Sequence, residues 1–197
     1  MTASTIRTAD LLHTVLTDLA TVLDRTKDDG AHRPTPCTEF DVTHLREHVL
    51  GWLTLFADGL ADPDGRASAS IDGYQAPADG GAAAREAAGR IDTALRAGAA
   101  DRPLYLGDSA MPGDLALGMI LWEYQVHGWD LAVATGQPWA PPTEAADESL
   151  AFAPNMLSPD YQGEGKPFGP RVAVPDAASS FDRLLGLSGR DPGWTAA

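Results

Sequence analysis

The stretch "GDLALGMILWEYQVHGWDLAVAT", residues 113 to 135, limits what this chain can become more than any other segment. Its apolar run is long enough for a helix that must be buried, with Pro112 at its entry and Gly136 as its stop. Inside that run sit Glu123, His127 and Asp130. A buried carboxylate without a partner costs several kcal/mol, so each must be protonated, paired or metal-bound. The fold therefore has to bring partners to this helix.

Other segments are helical by their periodicity. Leu12, Leu16, Leu19 and Leu23 recur at helical spacing within 5 to 26. "DVTHLREHVLGWLTLFADGL", 41 to 60, is a second helix capped by Asp41. The alanine-rich "AAAREAAGRIDTALRAG", 82 to 98, is a third, of high intrinsic propensity. Gly- and Pro-rich connections separate them: "KDDGAHRPTPCT", a long loop over 61 to 81, and "AADRPLYLGDSAMPG". "PPTEAADESLAFAPNML" predicts a shorter fifth helix, and the tail from 158 is mostly loop with a short helix near 177 to 187. No β pattern extends beyond a few residues. The expected class is all-α: a four-helix bundle with long loops and extra short C-terminal helices. One domain is expected over 1–197, with 158–197 packed on the bundle.

With Glu123 at zero and about 100° per residue, Met119, Ile120, Val126, His127, Asp130 and Ala134 fall within about 60° of it. On the second helix, Leu45, Trp52 and Leu55 surround His48, while Arg46, Glu47, Thr54 and Asp58 take other faces. His48 points inward too. Spacing alone leaves two readings open. Glu123 and His127 are a solvated i, i+4 pair and His48 a hydrogen-bonded core residue, or the three are ligands to one divalent ion. Asp130 is close enough to orient a ligand or accept its hydrogen bond.

Acidic residues number 28 against 14 basic ones, a formal charge of −14. That excess repels phosphate backbones and anionic lipid, and no basic run offsets it. Nucleic acid and membranes are not expected partners; a small-molecule substrate is. No stretch reaches the roughly 20 apolar residues of a membrane span, and no signal-like block opens the chain. The single cysteine, Cys37, permits no intramolecular disulfide and suits a reducing, cytoplasmic setting.

"TPCTEFDVTHLREHVLGW" together with "WEYQVHGWDLAVATGQ" and the ending "FGPRVAVPDAASSFDRLLGLSGRDP" resembles a known family. It is similar to the DinB-like, YfiT-like metal-binding four-helix bundles, in the branch related to mycothiol-dependent maleylpyruvate isomerase. The resemblance implies an up-down-down-up bundle holding one divalent ion, commonly zinc, with nickel or iron as alternatives. It matches His48 to the histidine of the family's second-helix motif, and Glu123 and His127 to its later Glu-x-x-x-His pair. It also implies a thiol cofactor, mycothiol or bacillithiol, that attacks a small electrophile as a metal-held thiolate. Thiol-dependent transfer or isomerisation is then the expected activity. The isomerase has a further C-terminal domain that this chain is expected to lack, so its particular substrate does not carry over. The alternatives are a hydrolase using metal-bound water, a non-haem iron oxygenase, or a non-catalytic metal- or ligand-binding protein. Bundles of this kind often pair, so a homodimer is expected.

Other residues are candidates for the same neighbourhood. His44 lies one turn before His48 and about 40° off its face. Trp52, one turn after, is a candidate pocket wall. Cys37 precedes a helix whose amides could lower its pKa, which makes it a candidate reactive thiol, although a small packed residue is the plainer reading. Lys166 and Arg171 flank "PFGP" in the tail. If the tail folds over the open end of the bundle, they meet a substrate carboxylate or an anionic thiol; otherwise they are surface cations.

Overall fold

The computed structural model describes residues 2–26, 32–158, 160–164, 166 and 168–196. The first part of the expected 27–38 loop lies outside the described residues. The helices are α1 Ala3–Arg25, α2 Val42–Ala61, α3 Gly80–Arg96, α4 Gly113–Ala134, α5 Thr143–Phe152 and α6 Ser180–Leu187. Side chains set their starts: Thr2, Asp41, Asp79 and Ser179 each accept a backbone N–H from the first turn that follows. Pro112 and Pro142 stand one position outside α4 and α5, where a missing N–H costs nothing.

Side-chain contacts fix the helix directions. Asp24, late in α1, pairs with Arg85, early in α3. Gln137, just past α4, donates to the Val22 carbonyl late in α1. So α1 runs against α3 and along α4. Gly80 abuts Leu50 at the start of α3, and Arg90 pairs with Asp58 further along, so α2 and α3 are parallel. Arg102, before α4, donates to the Leu60 carbonyl at the end of α2, so those two are antiparallel. The order is up-down-down-up.

Two successive parallel helices need a connection that returns along the whole helix, about 30 Å for 20 residues. The long 62–79 segment makes that return. Tyr74 within it lies on Gly51, where a Cβ would come 3.2 Å from the ring. The connection after α3 contains a hairpin, β1 Leu104–Leu106 with β2 Ser109–Met111, which the sequence reading treated only as a connection. Strands of three residues are too short for alternation to register. Gly107, at φ +62, supplies the left-handed turn between them.

The main core lies among α1 to α4 and includes Leu16, Leu19, Leu45, Leu53, Ile91, Ile120 and Tyr124. A second cluster joins Trp122, Val126 and Trp129 of α4 to Leu157, Leu184 and Leu185. Helix α4 is thus covered on one side by the bundle and on the other by the C-terminal segment. This explains its nearly continuous apolar character. Among the described residues no helix is long and apolar enough to cross a membrane.

Candidate metal centre

Where α2 and α4 face one another, His48 Nε2 and His127 Nε2 each lie 3.3 Å from the same oxygen, Glu123 Oε1. The three donor atoms lie within 4.8 Å of one another. The imidazole rings stand edge to face, centroids 5.0 Å apart. A charge-assisted N–H···O bond is shorter, about 2.7–2.9 Å. Four ligands placed tetrahedrally at 2.0–2.1 Å from an ion, by contrast, are separated by about 3.3–3.4 Å. The spacing and the donor types both fit a divalent cation.

Electrostatics favour positive charge at the same point. Burial opposes ionisation of Glu123, yet the two histidines outweigh it and hold the carboxyl well below the usual carboxylate range. Burial also opposes an imidazolium at His127, but the Glu123 charge and the Asp130 hydrogen bond prevail and raise it to about 9. A proton on His127 and a metal ion therefore compete for one place.

A second layer fixes the first. His127 Nδ1 lies 3.0 Å from Asp130 Oδ2, and because a carboxylate only accepts, Nδ1 carries the hydrogen. The free lone pair of the neutral ring is then on Nε2, toward Glu123. Asp130 is fully buried, and Arg190 donates to its Oδ2 through Nη2 at 3.0 Å and Nε at 3.3 Å. A cavity of about 750 Å³ opens onto the three donors, walled by Phe40, Trp52, Phe56, Trp122 and Phe168. The Phe40 ring stacks 4.8 Å from that of His48.

Residues 12–132 match the family model for the mycothiol maleylpyruvate isomerase N-terminal domain. The chain belongs to this family. Two uncharacterized proteins of Mycobacterium tuberculosis, MT0763 (strain CDC 1551 / Oshkosh) and Rv0738 (strain ATCC 25618 / H37Rv), are similar to it. Each is 33% identical over 175 residues, which covers 87% of this chain and 91% of the relative. No solved structure matches significantly. The isomerase-domain match contains His48, Glu123, His127 and Asp130 but stops before α5, α6 and Arg190.

Around this candidate centre the other expected residues divide. Trp52, Cys37 and Lys166 line the cavity; Arg171 does not, and instead donates from Nε to Gln162 Oε1 at 2.7 Å. His44 is exposed and sits 2.8 Å from Asp41 Oδ1, in the cap of α2 and outside the cavity lining. Burial pushes the Cys37 thiol up to about 11, against the opposing pull of the Arg190 charge. The nearby helix start does not make it a thiolate. Cys37 also gathers with His127 and Asp130 as a donor group. The Arg190 ion pair on Asp130 and the protonated thiol suit that group to hydrogen bonding rather than metal ligation. Neither Arg190 nor Phe40 is marked out by the sequence pattern. Phe40 lies within a quoted motif, "TPCTEF", just ahead of α2, but nothing in its spacing aims it at His48. Arg190 carries no periodic signal at all.

Proposed function

We propose that this protein holds a divalent ion, zinc in preference to nickel or iron, on His48, Glu123 and His127. With it, the protein uses a mycothiol-type low-molecular-weight thiol to transfer to, or isomerise, a small electrophile. One observation carries this reading: two imidazole nitrogens share a single carboxylate oxygen at tetrahedral-edge spacing, at the head of a cavity, in a mycothiol isomerase domain. Three protein donors leave a coordination position for an outside group. With one carboxylate and two neutral imidazoles around it, a bound divalent ion keeps positive charge and lowers the pKa of a thiol placed on it.

The chain's own residues do the rest. Glu123 and the two histidines hold, while Asp130 keeps the His127 ring in one tautomer. The aromatic walls exclude water and offer an apolar electrophile its contact surface. Lys166 on the lining is placed for an anionic group of thiol or substrate. In the metal-free protein burial holds the Cys37 thiol at about 11, so this reading takes its nucleophile from an outside thiol.

Elemental analysis of the native protein should return a divalent ion, and His48→Ala should abolish it. Calorimetric titration of the metal-loaded protein with mycothiol should show binding that the metal-stripped protein lacks. Turnover of esters or amides that ignores added thiol would replace this reading with hydrolysis by metal-bound water. A wild-type protein without affinity for any divalent ion ends both.

A further inference from the structure

We infer that Arg190 is a positioning residue of the metal centre: it holds Asp130 so that Asp130 fixes the His127 ring, which makes the C-terminal segment part of the site. The inference rests on the metal-binding reading above. Asp130 lies in the middle of an apolar helix with no solvent exposure, and one imidazole N–H leaves most of its acceptor capacity unfilled. Arg190 fills it from the other direction, with Nε reaching Oδ1 and Oδ2 at 3.4 and 3.3 Å and Nη2 reaching Oδ2 at 3.0 Å. Asp130 is fully dry, and the Arg190 side chain, 11% exposed, reaches the cavity wall.

The placement of Arg190 is itself rigid. Helix α6 ends with Gly189 in the left-handed region at φ +80, its N–H donating to the Gly186 carbonyl at 3.2 Å. The Arg190 N–H donates to the Leu185 carbonyl at 2.9 Å. These two bonds are a Schellman C-cap, whose second residue past the cap is fixed in position. Arg190 Nη1 then donates to the Ser188 carbonyl at 2.7 Å, and Ser188 Oγ accepts from Trp122 Nε1 of α4 at 2.9 Å. A helix end is thus pinned to α4 on both sides of the guanidinium. The result is one chain of contacts, Arg190 to Asp130 to His127 to Glu123 to His48, running from the C-terminal segment into the bundle.

The test is zinc affinity, measured by competition with a chromophoric chelator, in wild type, Arg190→Ala, Arg190→Lys, Asp130→Asn and the Arg190→Ala/Asp130→Asn double variant. Loss of an outer partner of this kind weakens metal binding by roughly 10- to 100-fold. We expect that loss in Arg190→Ala, partial recovery in Arg190→Lys, and little further loss when Arg190→Ala is added to Asp130→Asn. A merely structural arginine would weaken zinc binding by the same factor in both backgrounds. Nitrogen NMR of the zinc-loaded wild type should show His127 protonated at Nδ1 and metal-bound at Nε2. A folded Arg190→Ala with wild-type zinc affinity, or equal losses in the two backgrounds, overturns the inference. Should Arg190→Ala fail to fold, Arg190→Gln decides: it keeps much of the stem but neither the charge nor the planar fork, and wild-type zinc affinity there is equally fatal. A wild type that binds no zinc removes the metal reading and this inference together. Zinc binding indifferent to Arg190 removes only the latter.

Discussion

Two aspartate–arginine pairs in this molecule look alike and behave differently. Asp24 and Arg85 join α1 to α3 at 2.7 Å, with side chains 40% and 51% exposed. Asp130 and Arg190 join α4 to the C-terminal segment at 3.0 Å, with exposures of 0% and 11%. The shorter pair is the weaker one. In water each partner of the outer pair is already solvated and screened, so the contact adds little. In the dry interior neither partner has an alternative, so the pair contributes modestly as a unit but cannot lose one member cheaply. What the inner pair provides is orientation, passed on to His127, a ligand in the proposed metal site.

The largest effect should therefore come from cutting the inner pair. Asp130→Ala strands a buried guanidinium and removes the acceptor for His127 Nδ1, and we expect it to cost about 3–5 kcal/mol in urea unfolding. A midpoint and slope equal to wild type would mean that Arg190 simply turns to water, and the contrast between the pairs would vanish.

That contrast also marks how far the sequence could be read. His48 was legible because it sits on the apolar stripe of α2, Glu123 and His127 because they are ionisable groups inside an otherwise apolar α4, and the family resemblance joined the three. Helical periodicity is a local property that survives without coordinates. The long 61–81 loop was legible too, though its purpose, returning the chain between parallel helices, was not. Arg190 was invisible because its partner is 60 residues away and its aim is set by the end of α6. Lys166 and Arg171 show the same limit at short range: they flank one tetrapeptide, yet only Lys166 lines the cavity. Trp122, one position before Glu123 and so about 100° from it on the wheel, packs on Phe168 and Ser188 of the C-terminal segment and walls the cavity. A wheel gives direction but not what waits there.

A medium-sized effect should appear with pH at the inner charges. In the metal-free protein His127 titrates at about 9 against 6.5 for a free imidazole, so its stabilising share is complete below 6.5 and lost as pH rises through 9. Glu123 works in the opposite sense. Its share is present above its ordinary 4.5 and lost as pH falls through the lowered folded value. The pair thus stabilises the metal-free fold most between 4.5 and 6.5. Zinc needs the neutral imidazole, so its affinity should rise about tenfold per pH unit from 7 toward 9, with release of about one proton per ion bound, then level off. Affinity flat across that range would show that His127 does not give up a proton to the metal.

The smallest effect should come from the outer pair, and its smallness is informative. Arg85→Ala removes a contact whose partners are both wet, so the melting midpoint should move by less than about 2 °C. Raising salt from 0.05 to 0.5 M, roughly a threefold shorter screening length, should erase even that difference. The same salt change should leave the gap between wild type and Asp130→Ala intact, because ions do not enter between Asp130 and Arg190. Acid tests the outer pair from another side. Arg85 holds the Asp24 carboxyl below its ordinary value, so whatever the pair contributes is present above the usual carboxylate range and lost as pH falls through the lowered value. If Arg85→Ala instead proved as damaging as Asp130→Ala, and salt did not relieve it, distance rather than water would govern these pairs. The C-terminal segment would then have no buried ion pair through which to orient the proposed metal centre.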